Sequence, residues 1–143
     1  MIYSQSIVYA LEALGYLAAF EPNRSMKVKE MAKSLDIPEH YLGKVLTELV
    51  RKKFVTSTKG PTGGFQISPS TRKMTIYRIL ASLDGLTALE DNCVMGLKKC
   101  SDDTPCVLHE SWSAFKRDAI VKIQNLTLQG LSKIIIVKYD LKT

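Results

Sequence analysis

Residues 59–64 read Lys-Gly-Pro-Thr-Gly-Gly and stand between two short runs of β-formers, Phe54-Val55-Thr56-Ser57-Thr58 and Phe65-Gln66-Ile67-Ser68. Glycines can take positive φ, so this segment predicts a β-hairpin with an extended tip. What precedes it narrows the fold further. Val28, Met31, Ala32 and Leu35 recur at i, i+3, i+4 and i+7, and after the break Asp36-Ile37-Pro38 a second apolar face follows in Leu42, Val45, Leu46 and Leu49. Pro38 is tolerated in the first turn of that helix because its missing N–H would have no partner there. Two short amphipathic helices joined by a few residues form a helix–turn–helix pattern, and a hairpin directly after it reads as a wing.

Upstream, Ile7, Ala10, Leu11, Leu14, Leu17 and Ala18 predict a helix of about three turns that ends near Phe20, before Glu21-Pro22. Downstream, residues 69–74 read as a polar connector, and Thr75 as the cap of a helix carrying Ile76, Ile79, Leu80 and Leu83 that stops at Asp84-Gly85. Residues 86–107 show no period. A longer helix resumes with Leu108, Trp112, Phe115, Ala119, Ile123 and Leu126 spaced three or four apart; it ends at Asn125, and Thr127 caps a final short turn. The β-branched run Ile134-Ile135-Ile136-Val137 reads as a short strand or as a packed extension.

Charge adds a functional direction. The 143 residues hold 20 Lys and Arg against 14 Asp and Glu, a formal charge of +6, which favours an anionic partner. Residues 1–74 hold 11 Lys and Arg against 6 Asp and Glu, while residues 75–143 hold 9 against 8, so the excess belongs to the winged half. With 45% hydrophobic residues a wholly disordered chain is excluded, and no apolar run approaches the ~20 residues that span a bilayer. Met1-Ile2-Tyr3-Ser4-Gln5 lacks a basic, cleavable leader, so the expected location is cytoplasmic, without membrane contact and with reduced cysteines.

In a helix–turn–helix, the second helix enters the major groove of duplex DNA. Opposite its apolar face lie His40, Tyr41 and Lys44, which can reach base edges or phosphates, and Gly43, which lets the backbone approach closely. Arg51, Lys52 and Lys53 at the helix end suit phosphates, which position a protein without reading sequence. Lys59, beside Gly60 and Thr62 at the wing tip, is placed for a minor groove or a phosphate. Taken singly, such cations are a solvated face or complement the helix dipole. Their concurrence with a hairpin and a basic half is what favours DNA.

All three cysteines fall in one loop, Cys93-x6-Cys100-x5-Cys106, followed by x2 and His109. Three soft thiolates and one imidazole make a credible metal site. Structural zinc ordinarily has a close C-x2–4-C pair, whereas an iron–sulfur cluster tolerates wider spacing. Lys98 and Lys99 can offset thiolate charge. The bland reading is three accessible thiols that act at most as a redox sensor. A thiol enzyme pairing a cysteine with His40 or His109 lacks an orienting third group and an oxyanion site, so the chain is not expected to be an enzyme.

Several segments together resemble the family of winged helix–turn–helix transcription regulators that includes BadM, IscR, NsrR and CymR. They are Tyr9-Ala10-Leu11, Tyr41-Leu42, the wing Lys59-Gly60-Pro61-Thr62-Gly63-Gly64-Phe65, and Asn125-Leu126-Thr127-Leu128. The cysteine spacing is similar to cluster-binding members, and Cys106-x2-His109 most resembles the iron–sulfur regulator IscR. The resemblance implies a mostly α fold with a small β-hairpin wing, in which residues 1–74 form the DNA-binding domain. Residues 75–143 then carry a cluster-binding loop (about 86–107), a dimerisation helix and a C-terminal tail. It implies a homodimer joined through Trp112, Phe115, Ala119, Ile123 and Leu126, with helix one adding contacts, and a pseudo-palindromic operator. The expected activity is a regulator, here a repressor, that senses iron–sulfur status, redox or nitric oxide through a two-iron or four-iron cluster. The alternative is a metal-free, CymR-like regulator controlled by a partner protein, a metabolite or thiol oxidation.

Two departures bear on this. The first cysteine gap is six where five is commonest, and Val8 stands where nitric-oxide-sensing members place an aspartate ligand. His109 is therefore the expected fourth ligand, with Glu12 of the partner subunit as the alternative. Pro38, Glu39 and Gly43 differ from IscR, so its target sequences do not carry over.

Overall fold

A computed structural model describes residues 2–143. In chain order its elements are α1 (Gln5–Ala19), α2 (Val28–Leu35), α3 (Glu39–Arg51), β1 (Val55–Thr58), β2 (Gly64–Ile67), α4 (Pro69–Arg72), α5 (Ile76–Ser82), α6 (Thr87–Glu90), α7 (His109–Asn125) and α8 (Leu128–Lys138). The chain divides into two compact units. Residues 5–74 and 127–143 make one, and residues 75–126 with the N-terminal residues make the other. No helix among the described residues is long and apolar enough to cross a membrane.

The first unit is the mostly helical, winged helix–turn–helix body expected from the pattern. The apolar faces of α1, α2 and α3 meet in a core that includes Leu14, Leu17, Met31, Leu35, Leu42, Leu46 and Leu49, all buried. Between α2 and α3 the chain turns on Asp36, held at φ 53, with its N–H bonded to Ala32 O. A short polar side chain tolerates that left-handed conformation. The wing pairs Val55 with Ile67 through Thr58 with Gly64, antiparallel, and Met26 joins its free edge through two 2.9 Å bonds with Phe65. Gly64, at φ 150, is required there because a Cβ would lie 2.6 Å from Met26 O.

Three local expectations change. Residues 69–74, read as a polar connector, contain a helical turn. Pro69 opens the single turn α4, Thr71 is buried with its hydroxyl on Phe54 O at 3.0 Å, and Arg72 reaches back to α1. Residues 86–107, read as aperiodic, contain α6. Of the two readings of Ile134–Val137 the packed extension holds, and its form is helical: Thr127 caps the eleven-residue helix α8 rather than a short turn, its side chain accepting from Gly130 N at 3.2 Å. Packing against α1 overrides the β-propensity of the isoleucines. The approach is close: a Cβ on Gly15 would lie 2.6 Å from Ile135 Cγ1.

The Tyr139 hydroxyl, just after α8, donates to the Glu12 carboxylate of α1. Burial, reinforced by Glu12, pushes the Tyr139 phenol up from 10.0 to about 12. The folded state thus holds this proton more tightly than the unfolded chain. The contribution to stability is complete below about pH 10 and is lost as pH rises toward 12. A urea midpoint that falls more steeply from pH 9 to 11.5 in wild type than in Tyr139→Phe is the expected result; parallel curves would contradict it.

In the second unit, Thr75 caps α5 as expected, accepting from Arg78 N at 3.3 Å. Helices α5 and α6 both contact α7. The loop that carries the cysteines is pinned at its neck by Cys100 N on Asp91 O at 2.8 Å, and by the Trp112 indole N–H on Asn92 O at 2.8 Å.

Candidate nucleic-acid interface and cysteine site

Helix α3 presents the predicted reading face to solvent because its other face is fully committed to the core. His40, Tyr41, Lys44 and Thr47 are exposed, Tyr41 to 52%. The His40 and Tyr41 rings lie 4.3 Å apart at their centroids, and Lys44 Nζ lies 5.9 Å from the Tyr41 ring. Nothing would obstruct a Cβ at Gly43 within 4 Å, so the helix backbone is open at that point. The exposed Thr47 hydroxyl donates to Gly43 O, one turn back on the same helix, at 2.9 Å.

The basic exit of α3 is less free than the sequence suggests. Arg51 Nε donates to Glu48 Oε2 at 2.9 Å, and Lys52 Nζ lies 3.8 Å from the same carboxylate. The Arg51 hydrogen bonds hold the Glu48 carboxyl below its ordinary value and raise the guanidinium in turn. On the wing, Lys59, Gly60 and Thr62 are exposed. Lys27, which no spacing rule singled out, donates to Gly60 O at 3.1 Å and steadies the tip from outside the hairpin.

The three cysteines and His109 come as two pairs. Cys93 Sγ and Cys106 Sγ are 3.5 Å apart, and Cys100 Sγ lies 3.4 Å from His109 Nδ1. The other imidazole nitrogen, Nε2, lies 2.7 Å from Asp102 Oδ1, a partner that the cysteine spacing alone does not mark. Backbone hydrogen bonding at Met95, followed by Cys106, Leu97 and the Lys116 charge, holds the Cys93 thiol below its ordinary value against some desolvation. All four of Cys93, Cys100, Cys106 and His109 line one hollow of about 550 Å³. Yet among the described residues no three His, Cys, Asp or Glu side chains converge as a group that could hold a metal ion. Three thiols and an imidazole spread around one hollow are a donor set suited to a polynuclear iron–sulfur group, whose irons take separate ligands, more than to one tetrahedral ion. The residues present therefore fit such a group.

Glu12 is engaged elsewhere, its carboxylate accepting the Tyr139 hydroxyl within its own chain. Lys98 and Lys99 are exposed, and Lys99 Nζ lies 3.9 Å from Asp91. On α7 the Trp112 and Phe115 rings stack at 5.4 Å, Phe115 is 48% exposed, and Ala119, Ile123 and Leu126 are half-buried. The buried residue of this helix is Lys116.

A family model named Rrf2, described as iron-dependent transcriptional regulator, matches residues 3–134. A protein of Aquifex aeolicus that carries the name of an HTH-type transcriptional regulator is 38% identical over 136 residues, covering 94% of this chain and 93% of its own. One of Rhodopseudomonas palustris, named for BadM, is 28% identical, covering 92% and 81%. Among solved structures, CymR, the global cysteine regulator of B. subtilis, superposes with a TM-score of 0.68 at 23% identity, covering 92% of this chain and 95% of that one. The IscR of T. potens gives 0.63 at 18% identity, covering 98% and 92%. At these identities the two structures speak for the winged-helix fold.

Proposed function

Since the chain belongs to the Rrf2 family of transcriptional regulators, which are DNA-binding proteins and not enzymes, we propose that it is a cytoplasmic repressor whose signal enters through an iron–sulfur cluster held by Cys93, Cys100, Cys106 and His109. The observation that carries this reading is the single hollow lined by all four donors. When bound, such a cluster supplies a local charge and ligation state that changes with iron supply, oxidation or nitric oxide. The chain's own residues do the rest. His109 turns Nδ1 toward Cys100 while Asp102 takes Nε2, a carboxylate–imidazole pairing that fixes ring orientation and raises basicity at the ligating nitrogen.

The half-exposed stripe of Trp112, Phe115, Ala119, Ile123 and Leu126 supports a homodimer formed along α7. Two recognition helices related by a two-fold axis suit a pseudo-palindromic operator. His40, Tyr41 and Lys44 are assigned to the bases or nearby phosphates. Arg51, Lys52, Lys59, Gly60 and Thr62 are assigned to the backbone. A change of cluster state that alters the spacing of the two recognition helices must, by linkage, alter DNA affinity by the same coupling energy.

The decisive experiment is anaerobic purification with iron and sulfide quantified, followed by mobility shifts of operator DNA with holo and apo protein. Bound iron and sulfide with unequal operator affinities are expected; colourless, metal-free protein would overturn the cluster. One observation favours the metal-free alternative, the 3.5 Å approach of Cys93 and Cys106, which suits control by thiol oxidation. For the DNA face, Lys44→Ala and Lys59→Ala are each expected to weaken binding and to lower the slope of log affinity against log salt by about 0.9. Unchanged slopes would remove these residues from the interface.

A further inference from the structure

We propose that Lys116 is the buried counter-cation of the cysteine site and sets the reduction potential of the cluster held there. This rests on the reading of that site as a cluster site. Lys116 is only 9% exposed, although its helix α7 is otherwise half-open to solvent. Lysines are rarely buried without a partner, because removing an ammonium from water carries a penalty that an ion pair ordinarily offsets. No carboxylate among the described residues forms an ion pair with this one. Its Nζ instead lies 6.0 Å from the Trp112 ring centroid, and that ring is held in place by Asn92 and Phe115.

The position of the ammonium explains what the missing carboxylate does not. Lys116 lines a hollow of about 700 Å³ together with Cys100 and His109, one donor pair; Glu90, Asp102 and Asp103 line it as well, none of them in an ion pair with Lys116. A cation on a mostly buried residue beside a thiolate-bearing pair favours the more negative and therefore the reduced state of whatever anionic group that pair helps to hold. Lys98 and Lys99, the lysines nearest in sequence to the thiols, are exposed and screened, so they are the weaker candidates for that task.

The test reconstitutes the full chain anaerobically with ferrous iron and sulfide. The reduction potential is then measured by dye-equilibrated titration in wild type, Lys116→Met, Lys116→Gln and Lys116→Arg. The neutral variants are expected to hold iron and to shift to a more negative potential, whereas Lys116→Arg stays at the wild-type value. Apo-protein melting should be unchanged or higher in Lys116→Met, since the desolvation penalty is removed, and this separates charge from packing. Neutral variants at the wild-type potential, or an arginine variant shifted as far as they are, would overturn the role of Lys116 and leave the cluster standing. A wild-type chain that takes up no iron would overturn the cluster reading, and this inference with it.

Discussion

Replacing Arg72 by methionine is expected to lower the stability of the DNA-binding unit by roughly 3 kcal/mol, read as a fall in the urea midpoint. The last carbonyls of a helix have no partner within it. At the end of α1 they are collected by one side chain: the Arg72 guanidinium donates to Ala18 O and Phe20 O at 2.8 Å each, and reaches Leu17 O at 3.5 Å. Gln129 of α8 joins the cluster, its Oε1 3.3 Å from Arg72. A cation also complements the negative end of the helix dipole. Partial burial lowers the guanidinium from its ordinary value, but not enough to remove its charge near neutral pH. Methionine keeps most of the apolar stem, takes the donors from Phe20 O and Leu17 O, and leaves Ala18 O only the longer 3.4 Å bond from Gln129 Nε2. Arg72→Lys should recover only part of the loss, because one ammonium lacks the planar fork that addresses several acceptors. A midpoint unchanged in Arg72→Met would show that water serves these carbonyls equally well.

The second large effect concerns iron. Cys100→Ala and Cys106→Ala are each expected to reduce iron retained after anaerobic reconstitution and gel filtration to background, since a cluster loses an anionic ligand with no substitute nearby. His109→Ala should do the same or leave a labile cluster. Asp102→Asn should weaken retention by roughly 10-fold to 100-fold by releasing the imidazole from its fixed orientation. Glu12→Gln should retain iron at the wild-type level, because that carboxylate is already bonded to Tyr139. Loss of iron in Glu12→Gln with normal folding would transfer the fourth-ligand role to it.

The parts of the fold legible in the sequence are those written in local periodicity. The apolar spacing of α2 and α3, the break at Asp36-Ile37-Pro38, the glycine-rich wing and the Thr75 cap all depend on neighbours within a few residues. The errors sit where distant contacts decide. A run of three isoleucines and a valine reads as strand until α1 offers it Gly15, and residues 69–74 read as connector until Arg72 finds the end of α1. The same holds for the sites. Cysteine spacing marks the loop as a candidate site, but Asp102 and Lys116 emerge only when the loop folds back on α7. Arg51 and Lys52 were visible as cations, while their engagement with Glu48 depends on side-chain geometry.

The docking of α8 on α1 has a consequence for how the protein is made. Gly15 and Ile135 touch although the whole of residues 75–126 is synthesised between them. Closing so long a loop costs roughly 4 kcal/mol in chain entropy, and the contact is impossible until α8 has left the ribosome. A nascent or truncated chain therefore carries α1 with its Gly15 face uncovered and the Arg72 site without Gln129. The unit that holds the winged helix–turn–helix thus opens with α1 and closes only when α8 arrives, after residues 75–126 have been made.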